Sequence, residues 1–360
     1  MSSTTETGRG PSDFEKPLGS AATTVASFEE GGSGPLKRLQ HFLHNYPTAI
    51  PFIVLVISVL AFSAIIGERF YATRNLAIVL QQVTVIAILG IAQTLVILTA
   101  GIDLSVGAIM ILSHVVMGKL AVDSGFPVPI AFSLGLLCGL ACGAINGSLI
   151  TFLRLPPFIA TLGTWNIFNA LNLWYSESQT VRPGDIDAAA PFLKIMGTSL
   201  TINAAQFAFG TVLMFTLAVI VWYMLNKTAF GRHIHATGDD EEAARLAGIR
   251  TDRTLIAVYT LAGLICAIAG WALIGRVGAV SPNSGQTANL DSITAVVIGG
   301  TSLFGGRGSL IGTLVGALIV GVFSSGLKLA GLDVLWQVFA VGLLIIIAVA
   351  IDQWIRKVSA

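Results

Sequence analysis

The stretch TAGIDLSVGA, Thr99 to Ala108, interrupts what would otherwise be one unbroken apolar run from Leu76 to Val122. An α-helix rises about 1.5 Å per residue, so Leu76 to Ala100 alone would reach about 37 Å, enough to cross a hydrocarbon core of about 30 Å. One helix is therefore expected to stop near Gly101 and another to start. Gly101 is expected to take the left-handed geometry that ends a helix, and Asp103 to accept from the amides that open the next one. A second reading stays open. At membrane depth such a break presents half-helix ends to a permeant, and Asp103 and Ser105 would then line a translocation path.

Outward from this stretch the same composition recurs. Hydrophobic residues make up 54% of the 360 and charged residues only 11%, against about 25% charged in soluble domains. Apolar segments run approximately over 49–67, 76–100, 104–122, 128–153, 157–175, 206–225, 254–279, 290–305, 308–329 and 333–351. The expected fold is therefore an all-α polytopic membrane protein of about ten transmembrane helices, one or two of them broken or re-entrant. The weakest is 290–305, whose clean core SITAVVIGGTSLF rises only about 20 Å as a helix. Residues 1–45 read as a disordered cytoplasmic tail, rich at first in Ser, Thr, Gly and Glu, 46–352 as the membrane domain, and 353–360 as a short cytoplasmic C-terminus. With the N-terminus inside, 13 of the 20 Lys and Arg fall on the cytoplasmic side, which places both termini there by the positive-inside rule.

Several polar features lie within the spans. Gly135, Gly139, Gly143 and Gly147 form one stripe that lets another helix backbone approach closely, and Gly312 and Gly316 repeat the device. Cys138, Cys142 and Cys266 lie in apolar segments and are expected to pack rather than hold metal, since no His or carboxylate lies near the first two. His114 and Lys119 read as packing or interfacial residues. In TLGTWNIFNALNLWY, Asn166 and Asn169 lie three residues apart, Asn172 continues the pattern, and Trp165 sits close by. Amides beside aromatic faces suit a polyhydroxylated solute, but Asn also joins helices and Trp belts membrane interfaces, so both readings stand. GRGSLIG (306–312) repeats the glycine spacing of GIDLSVG (101–107). That echo makes it a candidate second break, with Ser302 as its companion polar residue.

The most informative polar segment is the loop 226–253, NKTAFGRHIHATGDDEEAARLAGIRTDR. Acids open EEAARLA and arginines follow, the polarity that the helix dipole favours, and Gly248 then stops the helix while Ile249 packs back. A short exposed helix with alanines on one side and charges on the other is a handle for a partner. Four adjacent acids point in different directions on a helix and make a poor metal cage.

Taken together, LTAGIDLSVGA, TLGTWNIFNAL, FGRHIHATGDDEEAARLAGI and VVIGGTSLFGGRGSLIGTLVGALI resemble the permease subunits of monosaccharide ABC importers, the ribose, xylose and fructose type, over residues 45–352. Fructose-type permeases are the nearest in appearance. The resemblance implies a type II importer-like permease fold in a bacterial inner membrane, a cytoplasmic ATPase subunit, a periplasmic sugar-binding protein and a second permease copy as a homodimer. It also implies that the helix at 239–248 is a coupling helix, with Gly238, Asp239, Glu241, Glu242, Ala243, Ala244, Leu246 and Gly248 at the ATPase contact. In agreement, the chain carries no Gly-x4-Gly-Lys-Ser/Thr phosphate loop, so ATP hydrolysis is assigned to another chain and the permease itself is read as no enzyme and without cofactor. Nothing points to nucleic acid. The alternative function is a secondary transporter or channel acting alone, which usually needs ionisable groups within its spans. Here Asp103 and Asp291 both fall near expected span ends.

Overall fold

In the computed structural model the described residues are 49–202, 205–333, 335–340, 342, 343, 346, 347 and 350. The expectations for the tail 1–45 and for 353–360 lie outside them.

The chain opens with α1 (Ala49–Ile66), a single turn α2 (Glu68–Tyr71) and the long α3 (Thr73–Leu98). After a non-helical stretch come α4 (Val106–Val122), α5 (Val128–Phe152) and α6 (Pro157–Ser176). Prolines stand in the first turns of α5 and α6, where the amide that proline lacks would have had no helical partner anyway. Then follow α7 (Pro183–Ala189), a 3-10 turn (Pro191–Gly197) and an antiparallel hairpin of β1 (Ser199–Ile202) and β2 (Ala205–Ala208), in register Ser199 to Ala208. This hairpin departs from the all-α expectation. The remainder is α8 (Phe209–Lys227), α9 (Ala229–Asp239), α10 (Glu241–Leu246), α11 (Thr251–Val277), α12 (Ala288–Ile298) and α13 (Leu310–Leu329), with 335–340 helical again.

Among the described residues, six helices are long and apolar enough to cross a membrane: α1, α3, α5, α8, α11 and α13. The expectation was about ten, of which these six meet both criteria. α4 and α12 are apolar but shorter; α6 has 20 residues, but its asparagines and threonines dilute its apolarity. The last expected segment, 333–351, lies only partly among the described residues. The expected span 290–305 stops being helical at Ile298, because Gly299 and Gly300 follow, the latter with φ 83°.

The centre of the bundle is α3, α11 and α13, with 61%, 61% and 67% of their apolar stretches buried within the protein, against 17% for α1. Phe52, Ile57, Leu60 and Ile65 of α1 are exposed. In water such a face would be an aggregation liability, whereas against lipid it is the expected surface. α13 runs antiparallel to α3. Ser325 Oγ donates to Asn75 Oδ1 (2.8 Å) at one end, and the hydroxyls of Thr313 and Thr94 pair (2.7 Å) near the other.

α5 meets α11 along the glycine stripe. A Cβ at Gly139 would lie 2.5 Å from the Gly263 carbonyl oxygen, one at Gly147 2.8 Å from Ile256 Cα, and one at Gly143 would fall onto the Tyr259 carbonyl. The second pair works likewise, Gly312 against Gly299 and Gly316 against Ala295. Buried glycines thus let backbones touch where apolar side chains would hold helices apart.

Candidate functional site

α3 ends at Leu98, and the residue that turns the chain is Ala100, at φ 59°. Gly101 was the expected left-handed residue. Its actual use is space, since a Cβ there would lie 2.5 Å from Tyr259 Oη. The chain then doubles back along α3. The Gln93 side-chain amide, oriented to satisfy both groups, donates to Asp103 O (3.1 Å) and accepts from Asp103 N (3.3 Å). Gln93 precedes the end of α3 by five residues, a rise of about 7.5 Å, so Asp103 lies level with the body of α3 and is 1% exposed.

The Asp103 carboxylate holds the start of α4 by a tighter motif than the expected N-cap. Its Oδ1 accepts from Ser105 N (2.7 Å) and from Ser105 Oγ (2.6 Å), an Asx turn closed two residues on. Asn146 of α5 donates to Ser105 Oγ (2.7 Å). Thr161 of α6 accepts from Leu104 N (3.1 Å), and Asn289 of α12 donates to Leu104 O (3.4 Å). Four helices therefore pin one non-helical stretch, which satisfies backbone groups that have no water to turn to.

The second break, residues 299–309, follows the same logic. Ser302 N donates to Arg307 O (2.9 Å), and Phe304 N donates to Ser302 Oγ (3.3 Å). Gly305 and Gly306 are left-handed, at φ 87° and 70°, and Ser309 caps α13 by accepting from Gly312 N (3.3 Å). The two breaks touch: Gly306 N donates to Leu98 O (3.0 Å). The spacing shared by GIDLSVG and GRGSLIG thus belongs to two stretches that each restart a helix and that meet at the end of α3.

The loop 226–253 lies on this meeting point. It forms two helices, α9 and α10, where one was expected. α10 begins at Asp240, whose Oδ1 accepts from Ala243 N (2.9 Å). It ends as its sequence implies, with Gly248 at φ 86° and Ile249 N donating to Ala244 O (3.0 Å). Arg245 bonds Glu241 (3.0 Å) and Thr251 (3.1 Å), tying α10 to α11. Asp239, Glu241, Glu242, Ala243 and Gly248 are exposed, and Leu246 is 85% exposed. Ala244 is buried, and so is Gly238, which lies against Leu98 O and Gly306 N. Beside them opens a cavity of about 960 Å³, its walls including Thr99, Gly101, Arg154, Thr237, Asp239 and Tyr259. Tyr259 is 1% exposed, and among the described residues its Oη has no hydrogen-bond partner.

The asparagines of α6 do not join this site. Asn166 is exposed and its Nδ2 donates back to Leu162 O (3.0 Å). Asn169 is half-buried, and Trp165 packs on the core. Asn172 alone of the three asparagines is buried, donating to Pro282 O (3.0 Å). The buried stripe of α6 is Ala160, Thr161, Thr164, Phe168, Asn172 and Ser176, so Asn166 lies off it. His114 bridges α4 to α11: its Nδ1 donates to Gly270 O (3.2 Å), and its Nε2 accepts from Ser281 N (3.1 Å). Lys119 pairs with Asp123 (2.9 Å). Reading the sequence alone missed Asn146, Thr161, Tyr259 and His235. Asn146 carries a usable signal, a polar side chain inside an apolar, glycine-striped span.

Residues 75–349 match the family model described as "Branched-chain amino acid transport system / permease component". The chain is 56% identical to the fructose import permease protein FrcC of Rhizobium meliloti over 357 residues, 99% of each chain. It is 40% identical to the ribose import permease protein RbsC of Bacillus subtilis over 310 residues, 86% of this chain and 93% of that one. It is 34% identical to the D-allose transport system permease protein AlsC of Escherichia coli over 306 residues, 85% and 91% of the two chains. No solved structure matches. The chain therefore belongs to the branched-chain amino acid transport system permease family, and its apolar helices are the multi-pass membrane body of an import permease.

Proposed function

We infer that the chain is the membrane-spanning permease subunit of an ATP-driven bacterial monosaccharide importer, with fructose as its substrate. The observation that carries this is the similarity to a fructose import permease at 56% identity across 99% of both chains. Relatives described as importing ribose and allose support the wider class of monosaccharides. ATP hydrolysis belongs to a separate cytoplasmic ATPase. Sugar arrives on a periplasmic binding protein, and two copies of this chain form the membrane pathway.

The loop helices α9 and α10 lie on the cytoplasmic side in this reading, and α10 is the surface that seats in the ATPase. Support comes from its exposed Leu246 and acidic first turn, and from its direct continuation of α9, whose Gly238 and Asp239 pack on the two helix breaks. Asp103, Ser105 and Ser302 belong to those breaks and bound the path near its inner end. Asn166 and Asn169 lie away from it and are not assigned to sugar contact within one copy.

Reconstitution into proteoliposomes with the cognate ATPase and binding protein tests the function. Uptake of labelled fructose should require both partners and ATP, and unlabelled fructose should compete better than ribose, xylose or galactose. Uptake driven by a proton gradient without the ATPase would sink the reading in favour of a secondary transporter.

A further inference from the structure

Three segments far apart in sequence meet at one point in the fold: the end of α3, the second break and α9. Gly306 is the hub. Its N–H donates to Leu98 O (3.0 Å), and its carbonyl accepts from His235 Nδ1 (2.9 Å), which fixes the proton on that ring nitrogen. Around the hub, glycines exclude side chains. A Cβ at Gly238 would fall onto Leu98 O, and one at Gly305 would press on Gly238 O and on Ala100. One at Gly306 would lie 3.0 Å from both Cα and Oδ1 of Asp239.

We propose that His235 is a positioning residue that clasps the loop to both helix breaks, so that any displacement of α10 moves residues 98–101 and 305–306 together. Long side chains at a junction would absorb a small shift by changing rotamer, but backbone packed directly on backbone transmits it, because close-packed interiors have little compressibility. The His235 bond adds a side-chain link to this junction. Asp239 and Asp240 connect α9 directly to α10, leaving no slack between handle and clasp. Thr99, Ala100, Gly101, Gly238 and Phe304 also wall the large cavity, so moving the clasp reshapes the space beside the breaks. The inference rests on the reading of α10 as the ATPase contact.

The test uses the complete reconstituted importer, with sugar transported per ATP hydrolysed as the readout, and compares His235→Ala, His235→Asn and His235→Gln. Asn carries an amide nitrogen near the place of Nδ1, whereas Gln carries it near that of Nε2. In His235→Ala and His235→Gln the ATPase should still co-purify and hydrolyse ATP, while sugar moved per ATP falls about three- to tenfold, the range that one intramolecular hydrogen bond supplies. His235→Asn should recover most of the coupling. Unchanged coupling in His235→Ala, or equal loss in His235→Asn and His235→Gln at normal membrane levels, would overturn the clasp. Loss of the ATPase from the His235→Ala complex would also overturn it, by making His235 a docking residue. A wild-type permease that never binds the ATPase would instead remove the reading beneath it.

Discussion

Asp103 offers a substitution whose outcome follows from the placement of single atoms. Both hydrogen bonds from Ser105, from its N and its Oγ, end on the same carboxylate oxygen, Oδ1, and the Asn146 side chain also bears on the carboxylate. Asparagine has one such oxygen and can keep both bonds, so Asp103→Asn removes the charge and little else. Asp103→Ala removes the acceptor and strands two donors in a site that is 1% exposed. Each unmet buried donor costs about 1–3 kcal/mol, so the loss is about 2–6 kcal/mol before relaxation. The loss is concentrated at the start of α4 and spreads through Ser105 to Asn146. The assay is paired: melting temperature of the detergent-purified permease and uptake in the reconstituted importer. Asp103→Asn should melt within a few degrees of wild type and retain at least about half its uptake, while Asp103→Ala should melt much lower or fail to accumulate. If Asp103→Asn melts normally yet abolishes uptake, the carboxylate charge serves transport and the structural account of Asp103 is wrong.

Three further outcomes follow from the same geometry. Gly143→Ala drives a methyl into the Tyr259 carbonyl and should destabilise the α5–α11 seam by about 1–3 kcal/mol, the usual cost of overpacking, read as a lowered melting temperature; an unchanged melt would show that the seam yields. Ala100→Gly relieves a left-handed alanine at φ 59°, worth about 1–2 kcal/mol against a glycine entropy cost of about 0.5–1 kcal/mol, so stability should rise slightly, and a fall would argue that the Ala100 methyl is needed against Gly305. Leu246→Arg changes a side chain that is 85% exposed; it should leave the melt unaltered but remove the ATPase from the purified complex, and intact co-purification with intact uptake would dismiss α10 as the docking surface.

The extent to which the site was legible depended on the range of the forces involved. α10 could be read from GDDEEAARLAGI because its start and stop are local. A carboxylate caps its first amides, a left-handed glycine ends it, and the next apolar residue folds back. The glycine stripe of α5 was legible for the same reason, since a four-residue period defines one helix face without knowledge of the partner. For Asn166 the placement stayed open, because periodicity shows which residues share a face but not which face turns inward. In a membrane protein an outward polar side chain can satisfy itself on its own helix, as Asn166 does on Leu162. Gly101 misled because two demands, a left-handed turn and close approach, both favour glycine. The turn fell to Ala100 and the close approach to Gly101.

By itself the sequence determined the membrane class, the places where helices stop and restart, and the polar loop with its short capped helix. Each of these follows from hydropathy over one span or from hydrogen bonds closed within a few residues. Only the tertiary structure decided that the break at 99–105 folds back along α3, that the break at 299–309 meets it at Leu98, and that α9 lies on both. The two breaks meet through a bond between a backbone carbonyl and a backbone amide 208 positions apart, Leu98 and Gly306. Every residue carries such groups, so no residue type marks in advance which of them will meet.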